Sequence, residues 1–293
     1  MSREIPSVLI GMPHLGPCGL SENWMLRHVG DVHWNLICSG LGKRSRFITD
    51  ESGNRLYASF VRVTWTSSKP LSAINESDEL RGSTSMVRCG ENIFISETQL
   101  SIADALISLR LVSMFSRREH NTSNKRLLLS APVIPLNCPI KDIEEVPSFV
   151  VQHRLLRNAA LPVHQFGDVE FDTAAQADWS FEYQINGYMD FNGANLLYFA
   201  SYPTIADICV SRTDLVSSRG SFDWFVIGCP PIGRDIFYYG NANITETINC
   251  ALAPKSGVAG LEAYSVDLFR SSDGARISKQ FVLRQNVAHA HRN

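Results

Sequence analysis

LSENWMLRHVGDVHWNLIC, Leu20 to Cys38, and GANLLYFASYPTIADIC, Gly193 to Cys209, are the two stretches on which the reading of this chain turns. In the first, Leu20, Trp24, Arg27 or His28, Val29 and Trp34 recur at roughly helical spacing, with Ser21 available as an N-cap and a Gly16-Pro17-Cys18-Gly19 breaker ahead of it. In the second, Leu196, Leu197, Phe199, Ala200 and Ile205 are the apolar positions, and Pro203 is expected to kink the helix or end its first part. Strand signals follow each helix. RLYASFVRVTW, Arg55 to Trp65, alternates and is rich in aromatic and β-branched residues, and Asp50-Glu51-Ser52-Gly53-Asn54 before it reads as a hairpin turn. Asp223 to Cys229 and Arg234 to Tyr239 are compact apolar strands, and Leu261 to Arg270 and Arg276 to Arg284 flank the turn Ser272-Asp273-Gly274. NCPIKDIEEVPS, Asn137 to Ser148, combines prolines with an acidic cluster and reads as a linker. The pattern predicts two halves, 1–145 and 146–293, each a long helix wrapped by a curved antiparallel sheet, hence an α+β chain built from a duplicated unit. Overlaying them sets Ser21–Leu26 against Gly193–Tyr198, so that Asn23 and Asn195 coincide near the helix starts.

Composition bounds the function. The chain has 293 residues, of which 44% are hydrophobic and 19% charged, which is ample for a core and excludes a disordered or fibrous polymer. Lys plus Arg is 27 against 29 acidic residues, so the formal charge of -2 provides no global field for nucleic acid or an anionic membrane. The seven cysteines are scattered, odd in number and never spaced as CxxC, which fits reduced core thiols better than a disulfide framework or a zinc site. MSREIPSVLIGMPHLG lacks the basic start and long apolar run of a signal peptide, and no apolar run approaches membrane-spanning length. A soluble cytoplasmic protein is expected. No GxSxG elbow, GxxxxGK[ST] loop, strand-following GxGxxG or HExxH motif is present, which leaves serine hydrolysis, nucleotide hydrolysis, Rossmann redox chemistry and zinc-protease chemistry without support.

DFNGANLLYF, Asp190 to Phe199, resembles the helix-opening motif of hot-dog thioesterases and dehydratases, and says more about fold than about reaction. GMPHLGPCGLSENWMLRHVGDVHW, Gly11 to Trp34, is similar to the N-terminal signature of the bifunctional acyltransferase/decarboxylase family of the leinamycin polyketide pathway. That resemblance implies a double hot-dog with two long helices. It implies an enzyme that takes a methylmalonyl (or malonyl) group from coenzyme A, loads it on a phosphopantetheinylated acyl carrier protein and releases carbon dioxide, leaving propionyl- (or acetyl-) carrier. The partners are then an acyl-CoA and the carrier. No metal or redox cofactor is called for, because the thioester is the electron sink, and one chain supplying both units is expected to act as a monomer or homodimer.

The resemblance also implies roles for residues. Tyr57, in RLYASF, is the best positional match to the tyrosine proposed as acyl acceptor in that family. A phenol titrates near ~10, so it needs a neighbouring base or positive field to act as nucleophile. Enolate formation puts charge on the carbonyl oxygen, which backbone amides at a helix start can hold; Gly193 and Ala194 at the second helix are the candidates, with Gly19 and Leu20 at the first. Asn195, and less so Asn23, could orient the thioester, the bland alternatives being helix capping or a link between halves. His14, in MPHLG, could return the proton to the enolate. His28, Asp31 and His33 read as structural. Lys43, Arg44 and Arg46 are the favoured receivers of coenzyme A or phosphopantetheine phosphates, ahead of the pairs Arg117–Arg118 and Arg154–Arg157. Two other readings stand beside this one: a hot-dog thioesterase or dehydratase using Asp190 and His14, although Asp190 more simply anchors its turn, and a non-catalytic module that holds a carrier.

Overall fold

The computed structural model describes residues 1–119, 123–175, 177, 179–213, 228–255 and 260–285. Among the described residues, ten main strands and three helices carry the fold. The first half contains β1 (Ser2–Leu9), α1 (Glu22–Leu41), β2 (Tyr57–Ser67), β3 (Glu79–Cys89), β4 (Ile93–Ile102) and β5 (Ala105–Arg118). Then come α2 (Ser148–Arg157) and the hairpin β6 (Val163–Phe166) and β7 (Val169–Asp172), followed by β8 (Trp179–Gln184), α3 (Ser201–Ser211), β9 (Pro231–Tyr238), β10 (Thr247–Lys255), β11 (Leu261–Arg270) and β12 (Arg276–Gln285). The ten strands outside the hairpin run as one antiparallel path, in the order β1-β3-β4-β5-β2-β9-β12-β11-β10-β8. Two short strands, Leu127–Leu129 and Lys141–Asp142, extend this into a twelve-stranded sheet.

Counted in chain order and read from the outer edge inward, each half follows the same sequence of strands: first, third, fourth, fifth, second. In each half the helix lies in the chain between the first and second strand. The two second strands meet at the middle, where Arg62–Thr66 of β2 pairs with Gly233–Phe237 of β9. Within the expected strand set, Leu261–Arg270 is matched to the residue and Arg276–Arg284 to within one. Residues 223–227 of the expected Asp223–Cys229 strand lie outside the described residues.

The helices are unequal, which corrects the expectation of two long ones. α1 is 20 residues long; Ser21 caps it by accepting from the Trp24 amide at 3.3 Å, and Gly42 ends it in the left-handed region at φ 63°. Its buried side is Met25, Leu26, Val29, Gly30, His33, Leu36, Ile37, Gly40 and Leu41, so Trp24 and Trp34 sit at the flank rather than in the core. Each aliphatic on that side contributes about 1.5–3 kcal/mol on burial. α3 is only 11 residues and starts at Ser201, not at Gly193. Pro203 lies in its first turn, where a missing N–H costs nothing and φ is already helical, so the proline opens the helix instead of kinking it. Within the segment from Asn137, read as a linker, Lys141–Asp142 pairs with β3, and the chain continues into α2 and the β6–β7 hairpin. These pack Leu156, Phe166, Val169 and Phe171 on Phe237, Ala263, Phe281 and Leu283 of the second half's sheet.

Candidate active site

The β2–β9 ladder stops at Arg62, so among the described residues the first part of β2, Tyr57 to Phe60, has no strand partner on that side. The chain between β8 and α3 comes in there. Asp190 fixes the base of this loop: its carboxylate accepts from the Asn186 amide at 2.7 Å and from the Tyr183 hydroxyl at 3.0 Å. Burial pushes the Asp190 carboxyl up, against the pull of those two donors. At the tip, Asn192 Oδ1 accepts from the amides of Ala194 at 2.9 Å and Leu196 at 3.2 Å, and Asn192 N donates to Leu196 O at 3.0 Å. Asn195 occupies the left-handed region at φ 55°, which a short amide side chain tolerates. A closed turn thus stands where a helix start was expected.

Between this turn, α1 and β2 lies a cavity of about 190 Å³, lined by Gly30, Asp31, His33 and Trp34 of α1, by Ser45, by Arg55–Ala58 and Phe60, and by Asn192, Ala194, Leu196 and Tyr198. Gly30 belongs to it for a steric reason: a Cβ there would meet the Phe199 ring at 2.6 Å. Phe199 in turn packs against Phe60 with ring centroids 4.1 Å apart. Tyr57 is half-buried and pairs with Ser116 of β5, which sets Arg118 on its diagonal. Arg118 donates to the Tyr57 hydroxyl at 3.2 Å, to Asn124 Oδ1 at 2.9 Å, to Asn195 O at 3.1 Å and to Ala194 O. A second guanidinium, that of Arg55, lies 5.1 Å from the Tyr57 ring centroid. The phenol oxygen therefore sits in a positive field, with a charged N–H already pointed at it.

His33 forms the inner wall. It is fully buried, with Nδ1 2.7 Å from Ser96 Oγ and Nε2 2.8 Å from Ser113 Oγ, and desolvation pushes its imidazole down to about 3. It is a neutral, doubly bonded ring. An adjoining groove of about 530 Å³ shares Asp31, Trp34 and Ser45 with the cavity and runs along Asn35, Cys38, Ser39 and Gly42 to Lys43 and Arg44. Arg46 does not line it; its guanidinium lies over the exposed Phe47 ring at 4.6 Å.

Tyr57 and Ala194 are brought together at this cavity, with Lys43 and Arg44 at its open end. Gly193 is exposed with open space around it, and the Ala194 amide is already taken by Asn192, so neither stands at a helix N-terminus and the second is no free donor. Asn195 is exposed outside the lining, where its carbonyl is held by Arg118 and Asn124. Asn23 links the halves by donating to Ala200 O at 2.7 Å and Thr204 Oγ1 at 3.2 Å. His14 is elsewhere: it accepts from the Gly11 amide at 3.0 Å and packs on Trp24 at 4.5 Å, without lining the cavity. The residues that sequence reasoning did not single out are Asn192, Arg55 and the role of Arg118. The last was visible only as half of a basic pair, because its approach to Tyr57 depends on strand register.

Among the described residues, no group of three or more His, Cys, Asp or Glu could hold a metal ion. No described helix is long and apolar enough to cross a membrane. No protein-family model matches the chain, and no curated protein sequence matches it. Solved structures do match. An oleoyl thioesterase from Lactobacillus plantarum superposes with a TM-score of 0.65 at 9% identity, over 98% of this chain and 97% of that one. The 12:0-ACP thioesterase from Umbellularia californica gives 0.62 at 11%, over 97% of both chains. An acyl-ACP thioesterase from Bacteroides thetaiotaomicron gives 0.57 at 9%, over 97% of this chain and 98% of that one. At such identities the likeness establishes fold: an α+β chain with the large antiparallel sheet of the thioesterase hot-dog.

Proposed function

We propose that this chain, as two hot-dog units divided near 145/146, transfers a methylmalonyl or malonyl group from coenzyme A to an acyl carrier protein by way of Tyr57 and decarboxylates it. The observation that carries this reading is Tyr57 lining the cavity with the Arg118 guanidinium donating to its hydroxyl. The Tyr57 oxygen attacks the thioester carbonyl, the C–S bond breaks, and coenzyme A leaves as the thiol with the phenolic proton. The bond to the free carboxylate then breaks, carbon dioxide leaves, and its electron pair enters the carbonyl as an enolate that takes a solvent proton at carbon. The carrier thiol attacks the remaining ester, and the departing phenolate, held by Arg118, takes the thiol proton. Phosphates of the donor and of the carrier's arm lie at Lys43 and Arg44, in a groove that Asp31 also lines, with Arg46 beyond them.

Cavity size supports a short acyl group. A dry cavity of ~150 Å³ accepts one benzene ring, so 190 Å³ suits a branched acyl of about seven heavy atoms. The thioesterase reading is favoured by the fold likeness, but its two residues, Asp190 and His14, do not line this cavity: Asp190 is engaged by Tyr183 and Asn186, and His14 by Gly11 and Trp24.

The test is to incubate the protein with methylmalonyl-CoA, or malonyl-CoA beside it, and a phosphopantetheinylated carrier, then weigh the carrier. Propionyl- or acetyl-carrier is expected. Free coenzyme A without carrier acylation assigns a thioesterase, and carrier binding without turnover assigns a docking module. Tyr57→Phe removes one oxygen and should change stability by no more than about 1 kcal/mol, while transfer falls by orders of magnitude. A transfer rate within tenfold of wild type would mean that the carrier thiol attacks the coenzyme A thioester directly.

A further inference from the structure

With the Ala194 amide occupied, the cavity needs another donor for the oxygen on which charge develops. We infer that the side-chain amide of Asn192 is that donor, its Nδ2 holding the carbonyl oxygen of a short acyl thioester bound beside Tyr57. This assignment rests on the cavity being the acyl site of the proposed function. Three observations carry it. Asn192 lines the cavity together with Tyr57, whereas Asn195 does not. Its orientation is fixed, because Oδ1 accepts two backbone amides, Ala194 N and Leu196 N, and only the oxygen of a carboxamide accepts. Its Nδ2 has no partner among the described residues and is not one of the buried unsatisfied atoms, so the amine edge is left open. The turn that holds Asn192 is itself clamped from outside, since Arg118 bonds Ala194 O and Asn195 O and Asn124 bonds Asn195 O at 2.7 Å. A donor so held pays little to reorganise when the carbonyl becomes an oxyanion or enolate, which is the condition for strong electrostatic stabilisation. Tyr57 is tied to the same clamp through Arg118, so acceptor and donor are set by one guanidinium.

Asn192→Asp separates the two functions of this side chain. The carboxylate still accepts from the Ala194 and Leu196 amides, so the turn persists, but the donor is gone. The readout independent of turnover is the infrared carbonyl band of propionyl-CoA labelled with carbon-13 at the thioester carbon. Bound to the wild type, the band should move to lower wavenumber; in Asn192→Asp with an unchanged melting midpoint the shift should vanish. Decarboxylation should fall by about 10²–10³-fold. Should Asn192→Asp unfold early, Asn192→Ser takes its place, because a hydroxyl still accepts from turn amides but is too short to reach the acyl group. A band shift retained in the folded variant overturns the assignment, as does failure of the wild type to bind propionyl-CoA or to shift its band. If methylmalonyl-CoA is not turned over while the band shift and its loss are seen, the transferase reading fails and the Asn192 contact stands.

Discussion

His33 concentrates the cost of the cavity wall in one side chain. Its imidazole is held neutral because burial leaves no room for the charged form, and its two nitrogens are consumed by Ser96 and Ser113. Its folded pKa of about 3 lies below the ~6.5 of the unfolded chain, so between these values only the unfolded state takes up the proton. The stability it permits is fully present above about pH 6.5 and is lost as pH falls toward 3, by up to about 1.4 kcal/mol per pH unit. Denaturant unfolding of His33→Gln between about pH 6.5 and 4.5 should show that slope reduced by roughly one proton. His28 and His153, also lowered by burial, keep their share in the variant. Equal slopes would mean that His33 titrates normally. At this scale the sequence pointed to Asn195, whereas it is Asn192 that lines the cavity. The two asparagines are chemically identical, and only the turn decides which carboxamide faces the cavity.

α1 is the element on which both halves depend. Glu22 in its first turn accepts from Trp65 Nε1 at 2.8 Å and from Arg234 Nε and Nη2 at 2.9 and 3.0 Å. Arg234 is wholly buried on β9 and is also bonded to Asp207 of α3 and Gln280 of β12. Burial pushes the Asp207 carboxyl up, but Arg234 and Arg284 outweigh it and hold the acid below its usual range. Glu22→Ala would leave the Trp65 N–H and part of the Arg234 charge buried without a partner. Removing one member of such a pair costs about 3 kcal/mol or more, which chemical denaturation will read directly. A loss under about 1 kcal/mol would make this a solvent-screened contact. The helix itself was legible through Ser21, its apolar period and the glycines around it. Its ionic partner lies more than two hundred residues away and left no local sign.

At the scale of the whole molecule, the repeated strand order makes the halves alike and the segment after residue 145 makes them different. α2 and the β6–β7 hairpin cover the outer face of the second half's sheet, anchored by polar bonds as well as apolar contact. His164 bonds Asp235 Oδ2 at 2.9 Å, and Arg62 bonds both Asp235 oxygens and Gln152 of α2. Burial opposes ionisation of Asp235, yet Arg62 and His164 hold it down at about 2, so this anchor persists at any pH above the ordinary carboxylate range. His164→Ala removes the hairpin's polar tie while Arg62 and Thr64 still satisfy Asp235. Amide hydrogen exchange should then rise roughly tenfold or more in residues 148–172 and stay unchanged in β2 and β9. Uniform acceleration would show that this layer is part of the global folding unit.

The sequence by itself determined the α+β plan with its repeated order of elements, the first helix with its cap, the late hairpin and the strand that begins at Tyr57. Each is written in local periodicity or turn chemistry, or in a motif resembling a known family. It mistook the second helix start because GANLLYF carries helix-forming residues, while the αL position at Asn195 and the side-chain acceptor at Asn192 spend those residues on a turn. Only the tertiary structure decided what meets Tyr57. The early end of the β2–β9 ladder opens the gap, strand register delivers Arg118, and the far half supplies the turn that closes the cavity. Contacts between residues 57, 118 and 192 depend on pairing across the whole chain, which no window of sequence contains.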